Sequence, residues 1–169
     1  GSGEVSVAEE LGRVIPVVRG VRAGVRAGAS VSVDTYKAEV ARAAIKAGAT
    51  MINDVTAGRG DQEMFQLIAD AGCSYVLMHS KDPTPRTTKR DVHYDDVLQT
   101  IHVFFEERIE AALSAGIQKH QLILDPGLGH FVSSDPKYSW EILEKLEVLK
   151  DFGCPLLVSP ARKAFTAKG

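Results

Sequence analysis

Five short apolar runs punctuate the chain, and each closes on polar or charged residues: Val31–Tyr36 (VSVDTY), Met51–Val55 (MINDV), Tyr75–His79 (YVLMH), Leu122–Gly127 (LILDPG) and Pro155–Lys163 (PLLVSPARK). A strand buried on both faces of a parallel sheet requires such nearly unbroken Val, Ile and Leu runs. Between them, apolar residues recur at helical spacing. Val5 to Val25 carries Val7, Leu11, Val14, Ile15 and Val18, then blurs into GVRAGVRAG, a duplication too short to be a structural repeat and read as a loop. Lys37–Ala47, Asp61–Ala71, Tyr94–Ala115 and Pro136–Phe152 follow, each ending at a glycine suited to a C-cap.

The alternation predicts a parallel sheet with crossover helices, either doubly wound or a (β/α)8 barrel. In both, ligands gather at the C-terminal ends of the strands, which is where Asp34, Asn53, Asp54, His79, Asp125, Arg162 and Lys163 fall. A carboxylate at the end of a buried run costs free energy unless something pairs with it, so polar ends on all five runs point to one shared site. A complete barrel needs eight strands and about 250 residues. The five runs in 169 residues therefore predict a single, partial barrel domain over residues 1–169.

Composition narrows the class. With 44% hydrophobic and 25% charged residues, the chain reads as an ordinary soluble globular protein. A net charge of −2 leaves no basic footprint for nucleic acid. The apolar stretches fall far short of the roughly 20 residues that cross a bilayer, and no signal peptide is visible. Cys73 and Cys154, without a CxxC, read as the buried reduced thiols of a cytoplasmic protein.

In order, the runs resemble dihydropteroate synthase, the pterin-binding (β/α)8 barrel enzyme of folate biosynthesis. SVDTYKAEVARAAIKAGATMINDV is similar to that family's third and fourth strands with the helix between them. VLMH resembles the fifth strand, LILDPGLG the sixth and LLVSPARKAF the seventh, so the likeness runs from about Glu9 to Phe165. On this alignment the first, second and eighth strands are absent.

The chemistry of the runs agrees. Carboxylates accept from the ring N–H and amino groups of a heteroaromatic ligand, and an Asn side chain both donates and accepts. Asp34, Asn53 and Asp125, on separate strands, are placed to surround such a ring. The resemblance makes them the pterin-holding residues, with Asp125 on the guanidine-like edge. Met78 is a candidate polarizable contact, and Phe131 a candidate ring contact. Lys163 is expected to meet the pterin and lie near the aminobenzoate. Asp54, His79 and Arg162 read as structural, and the basic loop Lys81–Arg90 as solvated. Two departures from the family pattern stand out: Ala161 replaces the serine before Arg-Lys, with Ser159 two residues earlier, and Gly129-His130-Phe131-Val132-Ser133 replaces the usual Phe-Gly-Lys segment.

The resemblance implies that 6-hydroxymethyl-7,8-dihydropterin diphosphate condenses with p-aminobenzoate to give 7,8-dihydropteroate and diphosphate. Diphosphate leaves first, aided by Mg2+, and the aniline nitrogen then attacks. Asp34, Asp125 and Lys163 are the expected catalytic residues, the two carboxylates favouring the positive charge that develops on the pterin. The Mg2+ ligands fall outside this chain, which alone is expected to be inactive; a homodimer is also implied. Two alternatives share the Asp/Asn/Asp grip: a methyltetrahydrofolate methyltransferase domain, and an inactive pterin-binding relative.

Overall fold

The computed structural model describes residues 5–26, 28–161 and 163–166. Helices and strands alternate: α1 (Val7–Gly24), β1 (Ser32–Asp34), α2 (Ala38–Ala47), β2 (Met51–Asp54), α3 (Met64–Ala71), β3 (Ser74–Met78), α4 (Val97–Ser114), β4 (Leu122–Asp125) and α5 (Pro136–Glu144).

Short polar residues start three of these helices, and Gly48 and Gly72 stop α2 and α3. Ser6, Asp96 and Asp135 each accept a backbone N–H of the first turn of α1, α4 and α5. Asp61 shifts the predicted start of α3. Its carboxylate accepts from the N–H groups of Ala38, at the head of α2, and of Glu63. Asp61 therefore precedes α3, which starts at Met64. The last predicted helix is also shorter, with Leu146–Phe152 wound as 310 helix.

The four strands are parallel and lie in the order β1-β2-β3-β4. A doubly wound sheet reverses its order where the winding changes direction. Here each strand adds to the edge left by the one before, as in a barrel wall. The fifth run is the exception to the predicted pattern. Leu156 alone bridges Leu124, with the Leu124 N–H donating to Pro155 and the Leu157 N–H to Leu124. Pro155 and Pro160 cannot donate to a ladder, and only four residues lie between them.

Register divides the sheet into two faces. Val33, Ile52, Tyr75, Leu77, Leu122 and Leu124 join one hydrophobic cluster with Ala41, Ala44, Met64, Ile68, Ile101, Phe105 and Ile142 of the covering helices. Large side chains fully buried there, such as Tyr75 and Phe105, each contribute roughly 1.5–3 kcal/mol. Val76 and Met78 are also buried but lie outside that cluster, on the opposite face. Asp34, Asn53 and Asp125 share that face by alternation. Cys73 and Cys154 are free thiols, the first half-buried and the second buried. Among the described residues no helix is long and apolar enough to cross a membrane.

Candidate active site

Pairing in register sets Asp34 beside Asn53, and Asn53 Nδ2 donates to Asp34 Oδ1 at 2.9 Å. Their row continues through Val76 and Ile123. Two residues further along the same face stand Met78 and Asp125, themselves register partners. From the spacing of residues and strands, Asp34 and Asn53 lie roughly 8 to 16 Å from Met78 and Asp125, backbone to backbone.

A cavity of about 210 Å3 opens over the first pair, lined by Asp34 and Asn53 together with Glu10, Thr35, Tyr36 and Pro85. Asn53 Oδ1 is buried and has no hydrogen-bond partner. A buried acceptor left in this state costs about 1–3 kcal/mol, which a ligand N–H at that point would recover.

Asp125 anchors a second cluster. It is 6% exposed, and its Oδ1 accepts the Gly127 N–H at 2.8 Å. Burial pushes its pKa up; the Gly127 bond and the Lys163 charge work against that. The turn depends on glycine. Gly127 has φ +66°, and a Cβ there would sit 2.3 Å from the His79 carbonyl oxygen. Lys163 Nζ donates to the Leu128 carbonyl at 3.1 Å and stands 4.7 Å from the centre of the Phe131 ring. Burial lowers the Lys163 pKa and the charge on Asp125 opposes the change. Asp125, Phe131 and Lys163 thus come together with Met78 beside them, while Asp34 and Asn53 form a separate pair on the same face.

Two of the three residues read as structural, Asp54 and His79, are buried and hydrogen-bonded within the fold. Asp54 faces the helices and accepts from the N–H and hydroxyl of Thr56, the N–H of Gly58 and the hydroxyl of Tyr75. The carbonyl of Pro126 can only accept, so Nδ1 of His79, 3.2 Å away, carries the proton. The His79 ring meets Phe104 edge-on. Ser159 and Ala161 are exposed, and Arg162 lies outside the described residues.

The loop after β3 is exposed at Pro83, Thr84, Arg86, Thr88, Lys89 and Arg90, as expected of a solvated segment, but not at Lys81 and Asp82. The Lys81 side chain is 3% exposed. Its ammonium donates to Asp82 at 3.0 Å, Thr87 at 3.0 Å and the Thr88 carbonyl at 2.7 Å, and also to the His130 carbonyl. Burial opposes the charge on Asp82, but the Thr88 N–H and Lys81 outweigh it and hold the carboxyl at about 2. Glu10 was also not anticipated at the cavity. It accepts from the Thr35 hydroxyl at 2.6 Å and Lys37 at 2.7 Å. Among the described residues, no group of three or more His, Cys, Asp or Glu side chains is placed to hold a metal ion.

The profile of the family described as "Pterin binding enzyme" matches residues 1–169. The chain belongs to this pterin-binding family. Within the family, it is 36% identical to the dihydropteroate synthase of Mycobacterium leprae over 94% of its own length and 54% of that protein's. It superposes on a dihydropteroate synthase of Stenotrophomonas maltophilia, solved with imidazole in the active site, with a TM-score of 0.90 and 39% identity, over 97% of this chain and 60% of that one. The enzyme of Xanthomonas albilineans, solved with 7,8-dihydropteroate, gives a TM-score of 0.84 at 42% identity, over 98% and 58%. The chain thus spans a little over half the length of these relatives. The likeness identifies β1–β4 as part of a (β/α)8 barrel wall.

Proposed function

We propose that this chain carries the pterin-holding part of a dihydropteroate synthase, which joins 6-hydroxymethyl-7,8-dihydropterin diphosphate to p-aminobenzoate and releases diphosphate. The observation that carries this reading is the orphaned Asn53 Oδ1 beside Asp34 in a lined cavity. These acceptors, with the buried Asp125 further along the same face, suit a flat ring rich in N–H donors. The relatives' names support the same substrate class.

In this reading Asp34, Asn53 and Asp125 hold the pterin, and Asp34 and Asp125 favour the positive charge that develops on it. Met78 packs against the ring, and Lys163, carried on Phe131, faces the junction of the two substrates. Magnesium enters through the resemblance alone. Among the described residues, no group of three or more His, Cys, Asp or Glu side chains is placed to hold it. The proposal extends to a cytoplasmic homodimer.

Calorimetric titration of the chain with the pterin diphosphate, and separately with methyltetrahydrofolate, tests the reading. Selective binding of the first, weakened about tenfold or more in Asp125→Asn by loss of a charged partner, is the expected result. Preference for methyltetrahydrofolate would make the chain a methyltransferase domain instead, and binding of neither would remove the pterin reading.

A further inference from the structure

The Lys81 ammonium is held away from water by groups from two different loops, and nothing in the pterin reading uses it. Its partners Asp82, Thr87 and Thr88 lie in the loop after β3; its fourth, the carbonyl of His130, lies in the loop after β4. An ammonium has only three N–H donors, so four acceptors occupy it fully. Two further bonds run parallel to this one. The Lys81 backbone N–H donates to the Phe131 carbonyl at 2.8 Å, and the Thr87 hydroxyl reaches the His130 carbonyl at 2.8 Å. Asp82 closes the knot from inside, accepting the Thr88 N–H at 2.8 Å.

Each of the two tied loops carries one wall of the candidate site. Pro85, in the loop after β3, lines the cavity over Asp34 and Asn53. Phe131, in the loop after β4, lies beneath the Lys163 ammonium. Leu128 in the same loop accepts from that ammonium. Lys81 itself touches none of Asp34, Asn53, Asp125 or Lys163. It stands between the loops that place them.

We propose that Lys81 is a positioning residue: its buried ammonium locks the loops after β3 and β4 to each other, so that the Pro85 wall and the Phe131–Lys163 wall of the site hold a fixed separation. This deepens the pterin reading and rests on it for the identity of the ligand, but the claim about Lys163 can be tested without any ligand.

The chain is labelled with 13C-lysine, and the Lys163 Cε resonance, assigned by its loss in Lys163→Arg, is followed through a pH titration in the unaltered chain, Thr87→Val, Thr87→Ser and Lys81→Met. Thr87→Val cuts the hydroxyl links to Lys81, Asp82 and His130 without stranding a charge. Loosening the Phe131 loop re-exposes Lys163 to water, so its titration should move up towards the ordinary lysine value in Thr87→Val and Lys81→Met. Thr87→Ser, which keeps the hydroxyl, should restore the original curve. Pterin affinity should fall about fivefold to tenfold in Thr87→Val, because the hydroxyl's links to the Lys81 ammonium, the Asp82 carboxylate and the His130 carbonyl are lost together. Unchanged Lys163 titration in folded Thr87→Val would overturn the proposal, whether or not Lys81→Met folds. Failure of the unaltered chain to bind pterin would defeat the functional reading while the Lys163 curves still decide the role of Lys81.

Discussion

Taking the pH from 7 to 5 should cost the chain about 2 kcal/mol of stability through His79 alone. The His79 side chain is 4% exposed. Burial lowers its pKa from 6.5 to about 4; the bond to the Pro126 carbonyl opposes the shift, and the charges of Arg59 and Lys81 add to it. In the unfolded chain the imidazole titrates near 6.5. Between those values the unfolded state holds a proton that the folded state refuses, so stability falls with falling pH. The contribution is complete above about 6.5 and is lost as the pH drops towards 4, which yields about 2 kcal/mol between pH 7 and 5 at about 1.4 kcal/mol per tenfold change in proton binding. Urea unfolding of the chain and of His79→Asn at pH 7, 6 and 5 measures it, because the Asn amide can still donate to Pro126 but cannot titrate. The variant should lose about 2 kcal/mol less than the unaltered chain over that range. Asp82, held at about 2, stays charged throughout. Asp125, whose raised pKa favours the folded state as protons bind, acts in the opposite direction and equally in both proteins. Identical pH slopes would refute the argument.

Three further outcomes are expected. Tyr75→Phe keeps the packing but removes the 2.6 Å bond to the buried Asp54 carboxylate; it should lower unfolding stability by about 1.5–3 kcal/mol, read from the urea midpoint, and no change would mean Asp54 is satisfied without it. Gly127→Ala places a methyl group against the His79 carbonyl at positive φ, so it should destabilise by about 1–3 kcal/mol and weaken pterin binding, whereas Gly72→Ala, with open space around it, should leave binding unchanged. Asp125→Asn removes the charge that supports the Lys163 ammonium, so the Lys163 NMR titration should move further down; an unchanged titration would show that the two side chains are not coupled.

The barrel wall was legible because apolar runs and helical spacing report burial directly, and because Asp34, Asn53 and Asp125 close runs whose register is set by that same pattern. Asp54 and His79 were readable as structural from their places in a turn and on the alternate face. Lys81 was not, because its burial depends on a carbonyl 49 residues away and a lysine among Pro, Thr and Arg carries the same local signature when solvated. The available signal was Asp82 followed by Thr87 and Thr88, short donors in reach of one carboxylate. Glu10 was missed for a similar reason: its partners Thr35 and Lys37 lie across the chain from an ordinary first-turn glutamate. The fifth strand was overread because its apolar residues outweighed the two prolines that deny it a ladder.

The sequential strand order also sets the order in which contacts become affordable to a folding chain. β1 and β2 meet across 19 residues, from Ser32 to Met51, and β2 and β3 across 23, from Met51 to Ser74. β3 and β4 must close 47, from Tyr75 to Leu122. Doubling a loop adds only about 0.6 kcal/mol to its closure entropy, but the β3–β4 junction is the most non-local along the wall, the kind of contact that slows folding. The Lys81–Asp82–Thr87–Thr88 knot lies inside that connection. Formed first, it shortens the free chain that must be searched, so the residues that hold the site's two walls together would also hasten the docking of the strand that carries Asp125.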